Sequence, residues 1–191
     1  MIYAALLRGV NVGGKNKMEM KKLKESFENV GMQSAVTYIN SGNVIFQDAE
    51  HTKKELASLL EAAIFRDFAL EIKVLVLSMD DLDRVIEALP AHWRNDDTMK
   101  CDVMFLWEEV DAETVLGDLD IKSGIDTALY VPGAVLWSVD RNNVTKSGLI
   151  KVVGTKLYGK MTVRNVNSVR KIHELMKAAD PGKGNQAGAR Q

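Results

Sequence analysis

One order of short apolar runs and turn signals occurs twice along this chain, and it limits the possible folds more than any single motif does. Ile2–Leu7 is an unbroken apolar run of strand length, ended by Arg8-Gly9. Both of its alternating sets, Ile2/Ala4/Leu6 and Tyr3/Ala5/Leu7, are apolar, which predicts a strand covered on both faces. Asn16 followed by Glu19 has the spacing of a capping box and predicts a helix start at that point. Met20, Leu23, Phe27 and Val30 then form one helical stripe, closed by Gly31. Strands at 36–39 and 44–46 flank Asn40-Ser41-Gly42-Asn43, the composition of a hairpin turn. Thr52 and Glu55 spell a second capping box, followed by Leu56, Leu59, Leu60, Ala63 and Ile64 on one helix face, and a run at 72–77 closes the set. The sum is β-α-β-β-α-β, the split pattern of a ferredoxin-like sheet with two helices on one face.

A linking helix capped by Ser78 carries Leu82, Val85, Ile86 and Leu89 and stops at Pro90. The order then returns, without a matching residue repeat. Strands are expected at 103–107, 128–131 and 135–139, with Pro132-Gly133 as the turn between the last two. Helices are expected around 115–119 and 149–157, a short strand near Val163, and a final helix bearing Val169, Ile172 and Met176. The expected architecture is therefore α+β: two ferredoxin-like βαββαβ units with a linking helix and a C-terminal helix. Residues 1–78 form the first unit and 79–180 the linking helix, second unit and C-terminal helix. Residues 181–191, with Gly182, Gly184 and Gly188 and almost no bulky apolar side chain, read as a flexible tail.

The 191 residues, 46% of them apolar, suffice for two small cores without a staple. No apolar run approaches the twenty residues of a membrane span, and the N-terminus reads as a strand and not as a signal sequence, so a soluble cytoplasmic protein without membrane association is expected. The single Cys101 and the scattered His51, His92 and His173 offer no disulfide and no metal-ligand spacing, so neither metal nor cofactor is expected. Cys101, next to Asp102, reads as a small buried side chain and not as an activated thiolate. Asn43-Val44-Ile45-Phe46-Gln47 lacks the stacking aromatic and basic pattern of an RNA-reading sheet, and Phe46 reads as core.

The net charge of −1 conceals an uneven distribution: +1 through Ser78, −11 from Met79 to Asp140, and +9 from Arg141 onward. Such asymmetry fits an anion-binding face, or two oppositely charged segments that pair. Within the first block, Arg8, Lys15, Lys17, Lys21, Lys22 and Lys24 face only Glu19 over seventeen residues. This basic stretch includes Gly9-Val10-Asn11-Val12-Gly13-Gly14-Lys15-Asn16, which lies between a strand and a helix and nearly spells the phosphate-cradling P-loop. Asn16 stands where the magnesium-holding hydroxyl belongs, and the hairpin that follows suits no P-loop NTPase's parallel sheet. What remains is an anion site in outline: glycine amides, lysine charge, and a helix N-terminus expected near Lys17.

In a ferredoxin-like unit the first crossover makes strands one and two run in the same direction, so the loop after strand one and the turn after strand two emerge at one end. Arg8, Asn11, Gly13, Gly14 and Lys15 are therefore expected beside Asn40, Ser41 and Asn43. The plain alternative is that these asparagines satisfy turn backbones while the lysines are solvated. A second basic cluster, with Lys146 before one expected helix and Arg164 before another, is a further candidate anion contact. There Thr145 and Asn167 read as helix N-caps.

The runs Arg8-Gly9-Val10-Asn11-Val12-Gly13-Gly14 and Tyr38-Ile39-Asn40-Ser41-Gly42-Asn43-Val44 resemble the bacterial family catalogued as domain of unknown function 1697. The resemblance extends more weakly through Lys146-Ser147 to residues 162–168 and covers about the first 178 residues. Val163 and Val166 stand where the family has a threonine and a tryptophan. The resemblance implies two ferredoxin-like units in a cytoplasmic bacterial protein and supplies neither activity nor cofactor. The expected function is a binding module for a phosphate-bearing ligand, a nucleotide or nucleic acid, at the glycine-rich loop. The alternatives are an enzyme acting on a small phosphorylated metabolite and a protein-interaction module; oligomeric state is left open.

Overall fold

The computed structural model describes residues 1–180; the expected tail at 181–191 lies outside the described residues. Two four-stranded, wholly antiparallel sheets of one topology make up the α+β fold. The first has the order β2-β3-β1-β4, formed by β1 (Ile2–Leu7), β2 (Gln33–Tyr38), β3 (Asn43–Gln47) and β4 (Val74–Ser78). The second has the order β6-β7-β5-β8, formed by β5 (Met99–Leu106), β6 (Asp126–Val131), β7 (Ala134–Asp140) and β8 (Met161–Asn165). Both are ferredoxin-like. The chain groups into two compact units, Met1–Leu82 together with the segment from Ile172, and Asp83–Lys171. The helix after β4, α3 (Met79–Ala88), and the C-terminal helix, α5 (Val166–Ala178), thus each contribute residues to both units.

In the first unit the register places Tyr3 opposite Phe46 and Leu6 opposite Asn43 on one side of β1, and Leu7 opposite Val74 on the other. Tyr3, Ala5, Leu7, Val44 and Phe46 form one buried layer with Leu23 and Phe27 of α1 (Met20–Glu28) and Leu56, Leu60 and Ile64 of α2 (Lys53–Phe68). Phe46 is central, with the Tyr3 and Phe27 rings each 5.8 Å away and Phe27 edge-on. Ala4, Leu6, Ile45 and Leu77, on the opposite face, are also buried, as the doubly apolar pattern of β1 requires. The Thr52 capping box forms as read: Thr52 Oγ1 accepts from the Glu55 amide, and Glu55 Oε2 accepts from the Thr52 amide at 2.7 Å.

Five sequence expectations give way here. The first helix begins at Met20 and not near Asn16, because Asn16 adopts a left-handed φ of 47° and spends its side chain on the Gly9 carbonyl. An N-cap needs extended backbone and a free acceptor, and Glu19 holds that position instead. In the second unit the segment around 115–119 is a 3-10 helix, Glu113–Asp118, and the one around 149–157 shortens to the four-residue α4 (Leu149–Val152). Each segment carries a glycine, Gly117 within the 3-10 helix and Gly154 just beyond α4, and neither reaches the length at which a helix sustains itself. The N-caps expected at Thr145 and Asn167 fall elsewhere. Gly148 is the N-cap of α4, with Ser147 Oγ before it accepting from the Leu149 amide, and Asn165 Oδ1 accepts from the Ser168 amide, while Thr145 lies inside a 3-10 helix (Arg141–Lys146) and Asn167 exchanges two hydrogen bonds with the Asn95 backbone. Cys101 is buried, which pushes its thiol up, and it donates to Ser138 Oγ. No helix among the described residues is long and apolar enough to cross a membrane.

Candidate functional site

The loop after β1 and the turn after β2 meet at one end of the first sheet, held by three kinds of contact. Val10 and Met18 are buried in the first unit's core and anchor the loop at both ends. Between them residues 11–16 form a small hairpin: the Asn11 amide donates to the Asn16 carbonyl at 3.2 Å, and the Lys15 amide to the Val12 carbonyl at 3.0 Å. Gly13 and Gly14, with φ of 58° and 77°, turn the tip, as the two central residues of a primed hairpin turn must. Asn11 ties the arrangement together. Its Oδ1 accepts from the Met18 amide at 2.8 Å, and its Nδ2 donates to the Met18 carbonyl at 2.9 Å and to the Asn40 carbonyl at 2.8 Å.

The turn approaches β1 closely. The Leu7 amide donates to the Gly42 carbonyl at 2.8 Å, and a Cβ on Gly42 would lie 2.8 Å from the Leu7 Cβ and overlap the Val10 side chain. Only glycine fits there, at a φ of 71°. The buried Asn43 donates through Nδ2 to the Tyr38 carbonyl and to Ser41 Oγ, each at 3.0 Å.

Of the expected neighbours Asn11 and Gly14 come together with Asn40, and several of the others are occupied in building the corner. Asn11, Asn40, Ser41 and Asn43 are committed to turn backbones or to each other. The Arg8 amide is bound to the Lys73 carbonyl at 2.9 Å. In the near-P-loop the Asn11 and Lys15 amides close the hairpin. Gly13, Gly14 and Lys15 are exposed at its tip. Lys146 and Arg164 lie in different surroundings. Lys146 is exposed at the end of a 3-10 helix, whereas Arg164 is buried in β8, where Nη1 donates to Thr162 Oγ1 and the Val163 carbonyl. Burial lowers the Arg164 guanidinium to about 10. Because α4 has only four residues, it provides no helix terminus of the kind expected after Lys146.

What the corner leaves open is a shallow recess of about 460 Å³, lined by Asn11, Gly14, Lys17, Met18, Glu19, Met20 and Asn40. The first turn of α1 faces into it through Met20. Glu19 makes no capping hydrogen bond, and the first turn holds no acid. Lys17, not Lys15, lines the recess, and sequence reading undervalued it. The distance of Lys17 from Asn11 becomes visible only once residues 11–16 are recognised as a hairpin, for which Val-Gly-Gly-Lys is the signal. The remaining lysines divide: Lys22 sits over the Phe68 ring, 5.0 Å from its centre, and Lys24 pairs with Glu28 at 3.6 Å. The first unit's displaced ionisations lie elsewhere. Asp67 is lowered to about 2 by Arg66 and Ser26, and Asp81 is lowered by hydrogen bonds from Lys53 and Ser78, which outweigh the opposing effect of its burial.

Comparison with known proteins agrees with this architecture. Among solved structures, the chain is similar to conserved bacterial protein SP0830 from Streptococcus pneumoniae. The identity is 29%, with 92% of this chain and 98% of that chain covered, and the TM-score is 0.77. No curated protein matches. A family profile described as "Protein of unknown function (DUF1697)" matches residues 1–137, which include the whole first sheet, the 9–18 loop and the Asn40 turn. The chain belongs to that family.

Proposed function

We propose that the recess at the N-terminus of α1 binds a phosphate-bearing ligand, a nucleotide or the backbone of a nucleic acid, and that the protein acts as a binding module. The observation that supports this reading is the uncapped first turn of α1, itself without an acid, opening into a recess whose charged lining is Lys17 and the N-cap Glu19. Backbone N–H groups at a helix start carry partial positive charge and point at whatever fills the space before them, and a lysine there adds a full charge. Asn11 holds the recess in shape from one side and Asn40 from the other, so the donors are fixed before a ligand arrives. Lys15, at the exposed hairpin tip, adds to the field without lining the recess.

The reading is tested by titrating the full chain with ATP, inorganic phosphate and a single-stranded oligonucleotide at low salt. Lys17→Ala is expected to weaken the tightest of these about three- to tenfold, and Lys15→Ala less. A nucleotide site shows ATP bound in preference to the oligonucleotide; a backbone site shows the reverse, with strong salt dependence. Absence of binding, or equal affinity of wild type and Lys17→Ala, overturns it.

A further inference from the structure

The second unit covers the inner face of its sheet less completely than the first. Lys100, Asp102 and Met104 alternate onto one face of β5, and Met104 packs there with Val135, Trp137 and Met161. In the first unit the second crossover is α2, of sixteen residues; in the second unit the only α-helix in the same connection is α4, of four. At 1.5 Å per residue these cover roughly 24 Å and roughly 6 Å of sheet. The difference leaves a pocket of about 490 Å³ between sheet and α4, with Met104, Val139, Val152 and Val163 among its walls and Lys100 and Asp102 among its polar groups. That volume lies within the usual range for small-molecule sites, as does a mostly apolar lining with a few polar groups. Ile150 and Val153, which also line the pocket, are 49% and 63% exposed, an apolar rim of the kind a hydrophobic ligand covers.

The chemistry of the polar groups narrows the ligand. Ser147 Oγ is already committed, donating to Asp126 Oδ1 at 2.5 Å and accepting from the Leu149 amide. Lys100 Nζ donates to Asp102 Oδ2 at 2.6 Å, which uses one of the three ammonium hydrogens. The Lys100 side chain is 30% exposed and that of Asp102 9%, so the charge an entering molecule meets is the ammonium, a donor only. Asp102 balances that charge, so what holds a head group is the ammonium's remaining hydrogens at close range, and each negative charge beyond the first adds repulsion from Asp102. We propose that this pocket binds an amphiphile with an apolar body, lying against Val139, Val152 and Val163, and a single carboxylate head on Lys100 Nζ.

The test uses the full chain and decanoate below its micellar concentration, with 1-decanol and decyl phosphate as comparators, followed by calorimetry and methyl NMR. Decanoate is expected to saturate one site and to shift the methyls of Val139, Val152 and Val163, with decanol and decyl phosphate about tenfold weaker or worse. Lys100→Gln retains a donor for Asp102 while removing the charge, and is expected to weaken decanoate about tenfold and leave decanol unchanged. Ile150→Asp, at the exposed rim, is expected to weaken both. The proposal is overturned by absence of saturable binding, by methyl shifts confined to other residues, by decanoate affinity that survives Lys100→Gln, or by decyl phosphate binding as tightly as decanoate.

Discussion

In the first unit, helices of nine and sixteen residues lie over Tyr3, Val44 and Phe46; in the second, an equivalent sheet carries 3-10 turns and a helix of four residues over Met104 and Trp137. The strand order is nevertheless the same. Topology in this chain is therefore set by the hairpins and strands, while the covering layer varies independently. The two layers are also held by different means. An α-helix satisfies its own backbone and has only to bury a stripe, as α1 does with Leu23 and Phe27. An irregular cover must find partners for its amides elsewhere. In the second unit carboxylates supply them: Asp126 accepts from the Lys122 and Gly148 amides, from Ser147 Oγ and from Trp137 Nε1, and Asp111 accepts from the Gly133 amide and the Tyr130 hydroxyl. Asp96 does the same for Thr98 and Met99. Part of the acidity of the middle segment is thus architectural.

This contrast can be broken most decisively by core truncation. Phe27→Ala removes a fully buried ring edge-on to Phe46 and is expected to cost about 3–5 kcal/mol in urea unfolding. Leu149→Ala, in a partly buried position on α4, is expected to cost about 1–2 kcal/mol. Equal costs would mean that the short cover packs as well as the long one.

The carboxylate pins come next. Asp126→Ala leaves two backbone amides, a hydroxyl and an indole N–H without their acceptor, for an expected loss of about 2–4 kcal/mol. A loss below about 1 kcal/mol would show that solvent replaces the carboxylate and that the irregular cover needs no such fastening.

The smallest expected effect is one of pH and is confined to the first unit. His51 Nδ1 lies 2.9 Å from Asp48 Oδ1, just before α2, and this hydrogen bond raises the imidazole above its ordinary 6.5. Burial works to raise the Asp48 carboxyl, but hydrogen bonds from the His51 backbone and side chain and from the Glu50 amide outweigh it and leave the group lowered. A histidine with a raised folded value contributes stability that is fully present below pH 6.5 and is lost as the pH climbs through that raised value. Melting temperatures of wild type and His51→Gln are therefore expected to differ slightly near pH 6 and to converge toward pH 8.5. A constant difference across that range would assign the contact to packing alone.

Most of the first unit was legible in the sequence because local and global signals agreed there. The Thr52 capping box, the Leu56 stripe and the Asn40 turn each predict what forms. The loop defeated the reading at Asn16 because one residue type serves two purposes: asparagine caps helices and also tolerates the left-handed backbone of a tight turn. That the loop and the turn lie together followed from the crossover, yet their residue types could not reveal that Asn11 and Asn43 spend their side chains on backbone groups. The pocket of the second unit was passed over for a related reason. Lys100 and Asp102 are two charged residues on alternate positions of the otherwise apolar β5, and that spacing places them together on the inner face of a sheet. The 3-10 turns were not foreseeable from short apolar clusters, which fit any helical state.

The triple attachment of Asn11 divides the loop into a fixed stem and an independent tip. A foreign peptide spliced between Gly13 and Gly14 would lengthen only the hairpin's end and leave Met18, Asn40 and the start of α1 in place. The same insertion between Asn16 and Met18 would pull the helix away from its stem. The glycine pair is thus a natural graft point for an affinity handle or a fluorophore beside the recess.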